Sequence, residues 1–400
     1  MTLNGGFEAG LQLASGSMMT THACMVVVAH EGKNNMKKPD VATVLAKPAS
    51  FLRGLALSAL LALGAQAQAD GVIPADATPL DKPLHISFCI FDLMGTGGDI
   101  YNYAKDLALE GRKWNVYADL KVYTDERVAS EDFKAGQCDG LAVSTLRAKQ
   151  FNSFIGSLDA VGAIPDYKSE RLAIDIIMGN PKLQPLSISG PYQIVSVIPL
   201  GAAYVMVRDR SINSVEKAAG KKVAVLEWDK SEAQMVQQMG AQPVASDITN
   251  FAGKFNNGQV DIIAAPALAF RPLELYRGLG TTGAIFRFPL INLSGSVVIN
   301  REHLLKQVPD LDARLDKVRA YALSRLGEAF HMIDLAEKSI DEKYWMDIAP
   351  ADHERYVRLM REARLQLMHQ GVYDTKMMGL LKKVRCKEDP GNAECTMMDE

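Results

Sequence analysis

The fold is decided by residues 211–266, which read SINSVEKAAGKKVAVLEWDKSEAQMVQQMGAQPVASDITNFAGKFNNGQVDIIAAP. Two short apolar runs, residues 223–226 and 260–265, are partly β-branched and end at turn or breaker residues, as strands buried on both faces do. Between them, apolar residues recur at helical spacing up to Gly240, which takes the place of a helix C-cap. The order strand, helix, short strand, helix, strand predicts a parallel α/β unit with right-handed crossovers.

Three segments of this stretch carry a resemblance to a known family: Ala-Gly-Lys-Lys-Val-Ala-Val at 219–225, Met-Gly-Ala-Gln-Pro-Val at 239–244 and Asn-Gly-Gln-Val-Asp at 257–261. In this order and spacing they resemble the second domain of the solute-binding proteins of TRAP transporters, the DctP type. The chain after its leader also resembles a narrower group of solute-binding proteins. Some members of that group carry the label AdeT, which denotes an accessory of RND efflux in aminoglycoside resistance.

The resemblance implies an α/β, two-lobed fold of the type II periplasmic-binding-protein class, with hinge strands and a helical C-terminal part. It implies capture of a small polar or amphipathic solute by hinge closure, and a membrane permease as partner. One position departs from the family. The Arg of the family motif Gly-Lys-Lys-Ile-Arg-Val pairs with a ligand carboxylate, and here Ala224 stands in its place. Either Arg147 or Arg208 takes over that role, or the ligand is not a carboxylate.

Composition places the chain among packed globular proteins, with 48% hydrophobic and 23% charged residues and a net charge of −3. There is no basic stripe with interleaved aromatic residues, which argues against nucleic acid as the main partner. The 400 residues allow one large or two ordinary domains.

The N-terminal region has the pattern of a secretory signal peptide, which we assign to residues 36–69. Basic residues precede the apolar run 54–63, and small residues follow it, with cleavage after Ala67 or Ala69. The run is too short to span a membrane, which takes about 20 residues; the alternative is a short core helix. We expect residues 1–35 to be a non-native or disordered extension.

The remaining chain divides into a series of predicted segments. They are a linker at 70–82, lobe I at 83–198, lobe II at 199–296, a return to lobe I with a helical part at 297–385, and a tail at 386–400. Residues 192–198 and 202–207 are predicted as consecutive strands separated by Pro-Leu-Gly, and residues 286–299 as the returning strand. Together they would form the hinge. The segment Phe-Lys-Ala-Gly-Gln-Cys-Asp at 133–139 matches Phe-Asn-Asn-Gly-Gln-Val-Asp at 255–261, which indicates two similar α/β lobes.

Four cysteines follow the predicted cleavage site, and an even number in an exported chain indicates disulfides. Three pairings are possible. We favour Cys89–Cys138, because both lie on neighbouring predicted strands, and Cys386–Cys395, which would close a small loop. Their spacing matches no zinc site. We expect residues 387–400 to form a loose tail around the second bridge.

The chain contains no Walker sequence, no His-Glu-x-x-His and no Gly-x-Ser-x-Gly, so we expect a binding protein without cofactor or metal rather than an enzyme. Open α/β sheets place ligands at the carboxyl ends of their strands. The residues predicted to form the wall of an interlobe cleft share that position. They are Asp92, Met94, Gly95, Ser144, Arg147, Asn152, Trp228, Asp229, Lys230, Pro266, Phe270, Asn292 and Ser294.

Two of these residues suggest specific ligand contacts. Trp228 offers a flat face for a ring or a cation, and Arg147 is placed to hold a carboxylate through two hydrogen bonds. The Gly-rich turn at 92–99 either binds an anion through its backbone N–H groups or is an ordinary strand-to-helix turn. For each cleft residue the alternative is a cap, an ion pair or a packing contact. For the whole protein the alternatives are an accessory of an efflux complex and an enzyme that uses the cleft.

Overall fold

The computed structural model describes residues 78–400, apart from the side chains of Lys230 and Ser231. The predicted extension at 1–35, the predicted signal peptide and the start of the linker lie outside these residues. Ten strands of the described part form one sheet. They are β1 Leu84–Phe91, β2 Val116–Tyr123, β3 Gly140–Ser144, β4 Ile188–Ser189, β5 Tyr192–Val207, β6 Lys222–Leu226, β7 Gln242–Ser246, β8 Ile262–Pro266, β9 Ala284–Asn300 and β10 Trp345–Met346.

Helices cover both lobes and make up most of the chain after residue 300. They are α1 Asp99–Gly111, α2 Glu126–Lys134, α3 Thr145–Ala148, α4 Ser153–Gly156, α5 Tyr167–Gly179, α6 Val215–Ala218, α7 Lys230–Gln238, α8 Phe251–Asn256, α9 Ala267–Phe270, α10 Leu275–Leu279, α11 Arg301–Leu305, α12 Leu311–Lys338, α13 Pro350–His369 and α14 Thr375–Glu388. Within residues 78–400, none of these helices combines the length and the apolar character that crossing a bilayer requires.

The strand order is β2-β1-β3-β9-β5-β8-β6-β7, with β4 beside β5 and β10 beside β9. At one end β1 is parallel to β2 and β3, and at the other end β6 is parallel to β7 and β8. Between these ends, β5 and β9 run antiparallel to each other over almost their whole length. The sheet therefore consists of two parallel α/β units joined by two long strands, the arrangement that the sequence predicts.

The first of the two long strands differs from its prediction. The sequence predicts two strands separated at residues 199–201, but β5 is one element of 16 residues. Its pairing with β9 shifts register between Pro199 and Gly201, and Gly201 has φ +95°. An irregularity of this kind absorbs the proline without ending the strand.

The motif that the two lobes share forms the same structure in each. Asp139 accepts a hydrogen bond from the backbone N–H of Ser87 at 2.7 Å, and Asp261 accepts one from the backbone N–H of Lys222 at 2.9 Å. In each lobe the Asp that leads into the third strand thus fixes the first strand beside it. The repeated sequence is a repeated structure.

Both predicted disulfides are confirmed. Cys89 and Cys138 are buried, with their Cα atoms 5.8 Å apart. The Cα atoms of Cys386 and Cys395 are 5.6 Å apart. The first bridge ties β1 to the segment that leads into β3, and the second closes a loop after α14.

The prediction of a loose tail at 387–400 is wrong. The Glu400 side chain is only 2% exposed, and its carboxylate pairs with Arg364 and Arg385, which are 1% and 5% exposed. Glu394 pairs with the same two guanidinium groups at 3.0 and 2.8 Å. The pairing links positions up to 36 residues apart, so no local pattern in the sequence indicates it.

The C-terminal helices bridge the two lobes. α12 packs on β5 and α5 and reaches α9 of lobe II, α13 contacts α6 and α7 of lobe II, and α14 contacts α4 and α5 of lobe I. The sequence predicts this placement on the first lobe and across the hinge.

Candidate interlobe binding site

The carboxyl end of β3 holds an arginine in a fixed position. The hydroxyl of Ser144 caps α3 by accepting from the backbone N–H of Arg147 at 3.1 Å, and donates to the buried carboxylate of Glu126 at 2.7 Å. The Nε atom of Arg147 lies 3.5 Å from the same carboxylate. Burial raises the pKa of Glu126, while Ser144 and Arg147 act in the opposite direction. Arg147 is therefore oriented from lobe I by a carboxylate beneath it.

The guanidinium of Arg147 reaches lobe II. Its central carbon lies 4.3 Å from the ring centroid of Trp228, which stands two residues after the end of β6. The side chain of Arg147 is 13% exposed. A guanidinium over an indole face is a favourable cation–π arrangement. Two residues predicted for the cleft thus meet across it, one from the strand end of each lobe.

A second cation lies close to this contact. The Nζ atom of Lys149 lies 4.4 Å from the ring centroid of Tyr373. Burial lowers the pKa of Lys149, and the charges of Asp229 and Asp159 oppose that shift. Burial raises the pKa of Tyr373, and Asp229 adds to the effect. The charge of Asp229, a predicted cleft residue of lobe II, therefore acts on a lysine of lobe I and on a tyrosine of the C-terminal part.

A buried polar network lies behind these residues, where β3 meets β9. Asp159 accepts from the backbone N–H and the hydroxyl of Ser294 at 2.9 and 2.6 Å. The hydroxyl of Thr145 lies 2.8 Å from that of Ser294 and 2.7 Å from that of Ser296. Burial raises the pKa of Asp159 to about 7, although the Ser294 bonds and Lys149 lower it. Ser294 thus joins the hinge strand to the loop that carries Asp159.

Other predicted residues serve local structure. Asn152 caps α4 by accepting from the backbone N–H of Ile155 at 2.8 Å, and donates to the carbonyl of Leu186. Asn292 donates to the carbonyl of Ile164 at 2.8 Å, and its own carbonyl oxygen has no hydrogen-bond partner among the described residues. Both side chains are buried, which indicates that they hold the backbone around the site.

The turn after β1 is occupied by its own aspartate. One oxygen of Asp92 accepts from the backbone N–H of Met94 at 2.8 Å, and the other accepts from that of Tyr101 at 2.9 Å. Gly95 has φ +57°, and Met94 is 53% exposed. Because the Asp92 carboxylate already accepts from one N–H group of the turn and from one in the first turn of α1, the geometry favours the strand-to-helix turn over the anion site.

The remaining predictions fall at the end of β8 and the start of α7. Pro266 pairs with Ala203 at the end of β8. Phe270 is 5% exposed and packs against Tyr276 and Tyr344, so it belongs to the core of lobe II. The backbone of Lys230 begins α7, and its side chain lies outside the described residues.

The candidate site also includes residues that the sequence does not single out. They are Glu126, Thr145, Lys149, Asp159 and Tyr373. Thr145 directly follows a predicted residue at the end of a strand, and that position is a usable signal. Tyr373 is separated from Lys149 by more than 200 residues of sequence, and nothing local in the chain connects the two.

The fold has many counterparts among solved structures. A TRAP periplasmic solute-binding protein of Desulfovibrio desulfuricans, solved with bound sn-glycerol-3-phosphate, matches with a TM-score of 0.63 and 13% identity, over 78% of this chain and 100% of that one. One from Anaerococcus prevotii, solved with bound glucuronate, matches with a TM-score of 0.61 and 13% identity, over 76% and 100%. The fold is therefore that of the two-lobed periplasmic solute-binding proteins.

The sequence gives a narrower assignment. The profile of the family described as "Solute-binding protein AdeT 1/2" matches residues 107–400, and the chain belongs to this family. It is 46% identical to "Probable solute-binding protein AdeT1" of Acinetobacter baumannii over 311 residues, which is 78% of this chain and 100% of that protein.

Proposed function

We propose that this protein works outside the cytoplasm, in the periplasm, and binds a small polar or amphipathic solute between its lobes by hinge closure. It then delivers the solute to a membrane transporter of the TRAP or a related class. The observation that carries the proposal is the contact between Arg147 and Trp228, because it joins the strand ends of the two lobes where such folds place their ligands. The family assignment supports a binding protein rather than an enzyme.

Among the predicted cleft residues, we propose Arg147, Trp228 and Asp229 for ligand contact, with Ser144 positioning Arg147. These residues offer a cation, an aromatic face and a carboxylate within one small region. Ala224 is 6% exposed inside lobe II and supplies no charge. The acids named in the neighbours' structures therefore do not define the ligand here, and Arg147 already faces the carboxylate of Glu126. A solute with both hydrogen-bonding and flat apolar surface fits best.

The test uses the exported protein, screened by thermal shift and then by calorimetry against panels of organic acids, sugars, polyols and amines. We expect at least one class to bind, and we expect Trp228→Ala to weaken that binding at least tenfold. Trp345→Ala is the matched control, because Trp345 also stacks with an arginine, Arg287, at 5.1 Å, but beside the hinge strand β9. Equal loss in both variants, or no ligand in any panel, would contradict the proposal.

The location and the partner need their own measurements. Cell fractionation with N-terminal sequencing should place the protein in the periplasm with its leader removed after Ala67 or Ala69. In vivo crosslinking from the rims of the lobes should capture a membrane transporter in a solute-dependent manner. Capture of an efflux complex without solute dependence would instead favour the efflux-accessory role.

A further inference from the structure

Lobe I contains a cavity that is separate from the interlobe site. It lies between the β1–β2 end of the sheet and helices α1 and α12, and its volume is about 360 Å³. Cavities of about 300–1,000 Å³ are typical of small-molecule sites. The cavity is partly open to solvent, and its walls are not packed against each other as the side chains of a protein core normally are.

The cavity exists because one face of the sheet is poorly covered. Alternate residues of β1 and β2 are apolar and line it, among them Ile86, Phe88 and Leu120. Helix α1, which covers this face, has no fully buried residue, and its Ile100 is 39% exposed. The result is an aliphatic and aromatic wall that a ligand, rather than the protein, is positioned to fill.

One polar group on the cavity wall lacks a partner. Ser196 of β5 lines the cavity and is 6% exposed, and its hydroxyl has no hydrogen-bond partner among the described residues. Leaving a buried hydroxyl unpaired costs about 1–3 kcal/mol. A ligand atom able to accept or donate there would remove this cost.

One side of the cavity carries positive charge. Arg325 of α12 lies against the rings of Tyr103 and Tyr321, at 5.9 and 6.0 Å from their centroids. Its Nη2 atom pairs with the exposed Glu328, while its buried Nε has no hydrogen-bond partner within residues 78–400. The lining also includes Arg314. Lys317 and the acidic Glu110 also line the cavity, and most of the remaining wall is apolar apart from Ser196. An anionic head group would find its donors at Arg325.

We propose that this cavity is a second binding site, for the linear hydrocarbon chain of a free fatty acid of medium length, with the carboxylate at Arg325. This site goes beyond the proposed solute capture, since none of the residues that line it is among those proposed for the interlobe site. Binding would complete the apolar core between α1 and α12, so occupancy should stabilise lobe I.

The experiment uses the exported protein after delipidation on hydrophobic resin, with 11-(dansylamino)undecanoic acid as fluorescent probe. We expect saturable binding of one probe per chain, displacement by dodecanoic acid, and displacement by dodecan-1-ol that is about tenfold weaker. Ala104→Trp and Ala322→Trp fill the cavity from α1 and from α12. Each should reduce probe affinity at least tenfold without lowering the Tm. Arg325→Met should remove the preference for the acid over the alcohol.

Trp228→Ala is the control that separates this site from the interlobe site, and it should leave probe binding unchanged. The proposal is overturned if the exported protein shows no saturable binding, or if both cavity-filling variants bind the probe like the parent. It is equally overturned if binding appears only after proteolysis before Thr78, since the chain's own N-terminal segment would then occupy the cavity. If Ala104→Trp or Ala322→Trp does not fold, the Arg325→Met variant decides. The proposal is then overturned if this variant still prefers dodecanoic acid over dodecan-1-ol as strongly as the parent does.

Discussion

The two lobes repeat one design but are stabilised by different means. In lobe I, Phe88 of β1 pairs with Gly140 of β3, and in lobe II, Val223 of β6 pairs with Ile262 of β8. The next residue of the first strand is Cys89 in lobe I and Ala224 in lobe II. The residue before the shared Asp of the motif is Cys138 in lobe I and Val260 in lobe II. A disulfide in lobe I therefore occupies the place of two apolar side chains in lobe II.

This difference accompanies a difference in packing. Lobe II is the more closely packed of the two, since Phe255, Val260 and Ile263 have no exposed surface and the cavity that its core residues line measures only about 50 Å³. Lobe I has a cavity of about 360 Å³ on one face of its sheet. Lobe I is stabilised by the Cys89–Cys138 disulfide and by the buried ion pairs of the C-terminal tail. Crosslinks and ion pairs do not require a close-packed interior, so they allow lobe I to keep an open apolar face.

The largest effect should come from breaking the buried ion pairs on lobe I. Arg364 donates to the carbonyls of Val161 and Gly162 at 3.1 and 2.9 Å and pairs with Glu400 and Glu394. Removing one partner of a buried pair typically costs 3–5 kcal/mol, so we expect Arg364→Met to lower the free energy of unfolding by about 5 kcal/mol in urea titrations.

The control for that variant is Arg355→Met, which removes an arginine from the same helix. Arg355 is 49% exposed in its pair with Glu216, so the expected loss is below about 1 kcal/mol. Equal losses in the two variants would show that the tail network does not stabilise lobe I.

The next effect should come from replacing the Cys89–Cys138 disulfide of lobe I with the two apolar side chains that take its place in lobe II. The double change Cys89→Ala with Cys138→Val gives lobe I the residues found at the equivalent positions of lobe II. For a separation of 49 residues, loss of the bridge should cost about 4 kcal/mol by the chain-entropy relation. Urea titration checks the value.

Removing the bridge between Cys386 and Cys395 provides the comparison for that measurement. Its separation of 9 residues gives about 2.6 kcal/mol by the same relation. A smaller loss for the Cys89–Cys138 pair than for this short loop would mean that packing, not the crosslink, stabilises lobe I.

The sequence predicts the lobes well and the site only in part. Short apolar runs and the repeated Gly-x-x-Asp segment are local signals, so β1, the parallel units and both disulfides could be predicted. The continuity of β5 could not be predicted, because a proline usually indicates the end of a strand. Here pairing with β9, which is distant in sequence, keeps β5 continuous through the irregularity. Lys149 and Tyr373 meet only through the packing of the C-terminal part, as do Arg364 and Glu400.

A pH-dependent effect, similar in size to the loss of the Cys89–Cys138 disulfide, arises where lobe I meets the hinge strand. Burial raises the pKa of Asp159 to about 7, whereas an unfolded Asp titrates near 3.9. The folded protein therefore holds this proton more strongly than the unfolded chain does. The stabilisation that this proton gives the folded protein is complete below about pH 4 and is lost as the pH rises through 7, and it amounts to about 4 kcal/mol.

The variant Asp159→Asn should remove this part of the pH dependence, measured as unfolding free energy between pH 4 and 8. Glu232→Gln tests the corresponding group in lobe II, since burial also raises the pKa of Glu232 to about 7. An unchanged slope in Asp159→Asn would show that the Asp159 carboxyl titrates normally in the folded protein.

The smallest effect concerns the contact that joins the lobes. Arg147→Met alone would also leave Glu126 without its cation, so the single variant mixes two losses. A double-mutant cycle with Trp228→Leu isolates the interlobe term, because Glu126 loses its partner in both backgrounds. We expect a coupling of about 1 kcal/mol in urea unfolding, as is usual for partly buried cation–π pairs. The more exposed Arg287–Trp345 pair should give about half of that value. A coupling near zero for Arg147 and Trp228 would mean that the lobes meet there without attraction, and closure would then depend on the solute alone.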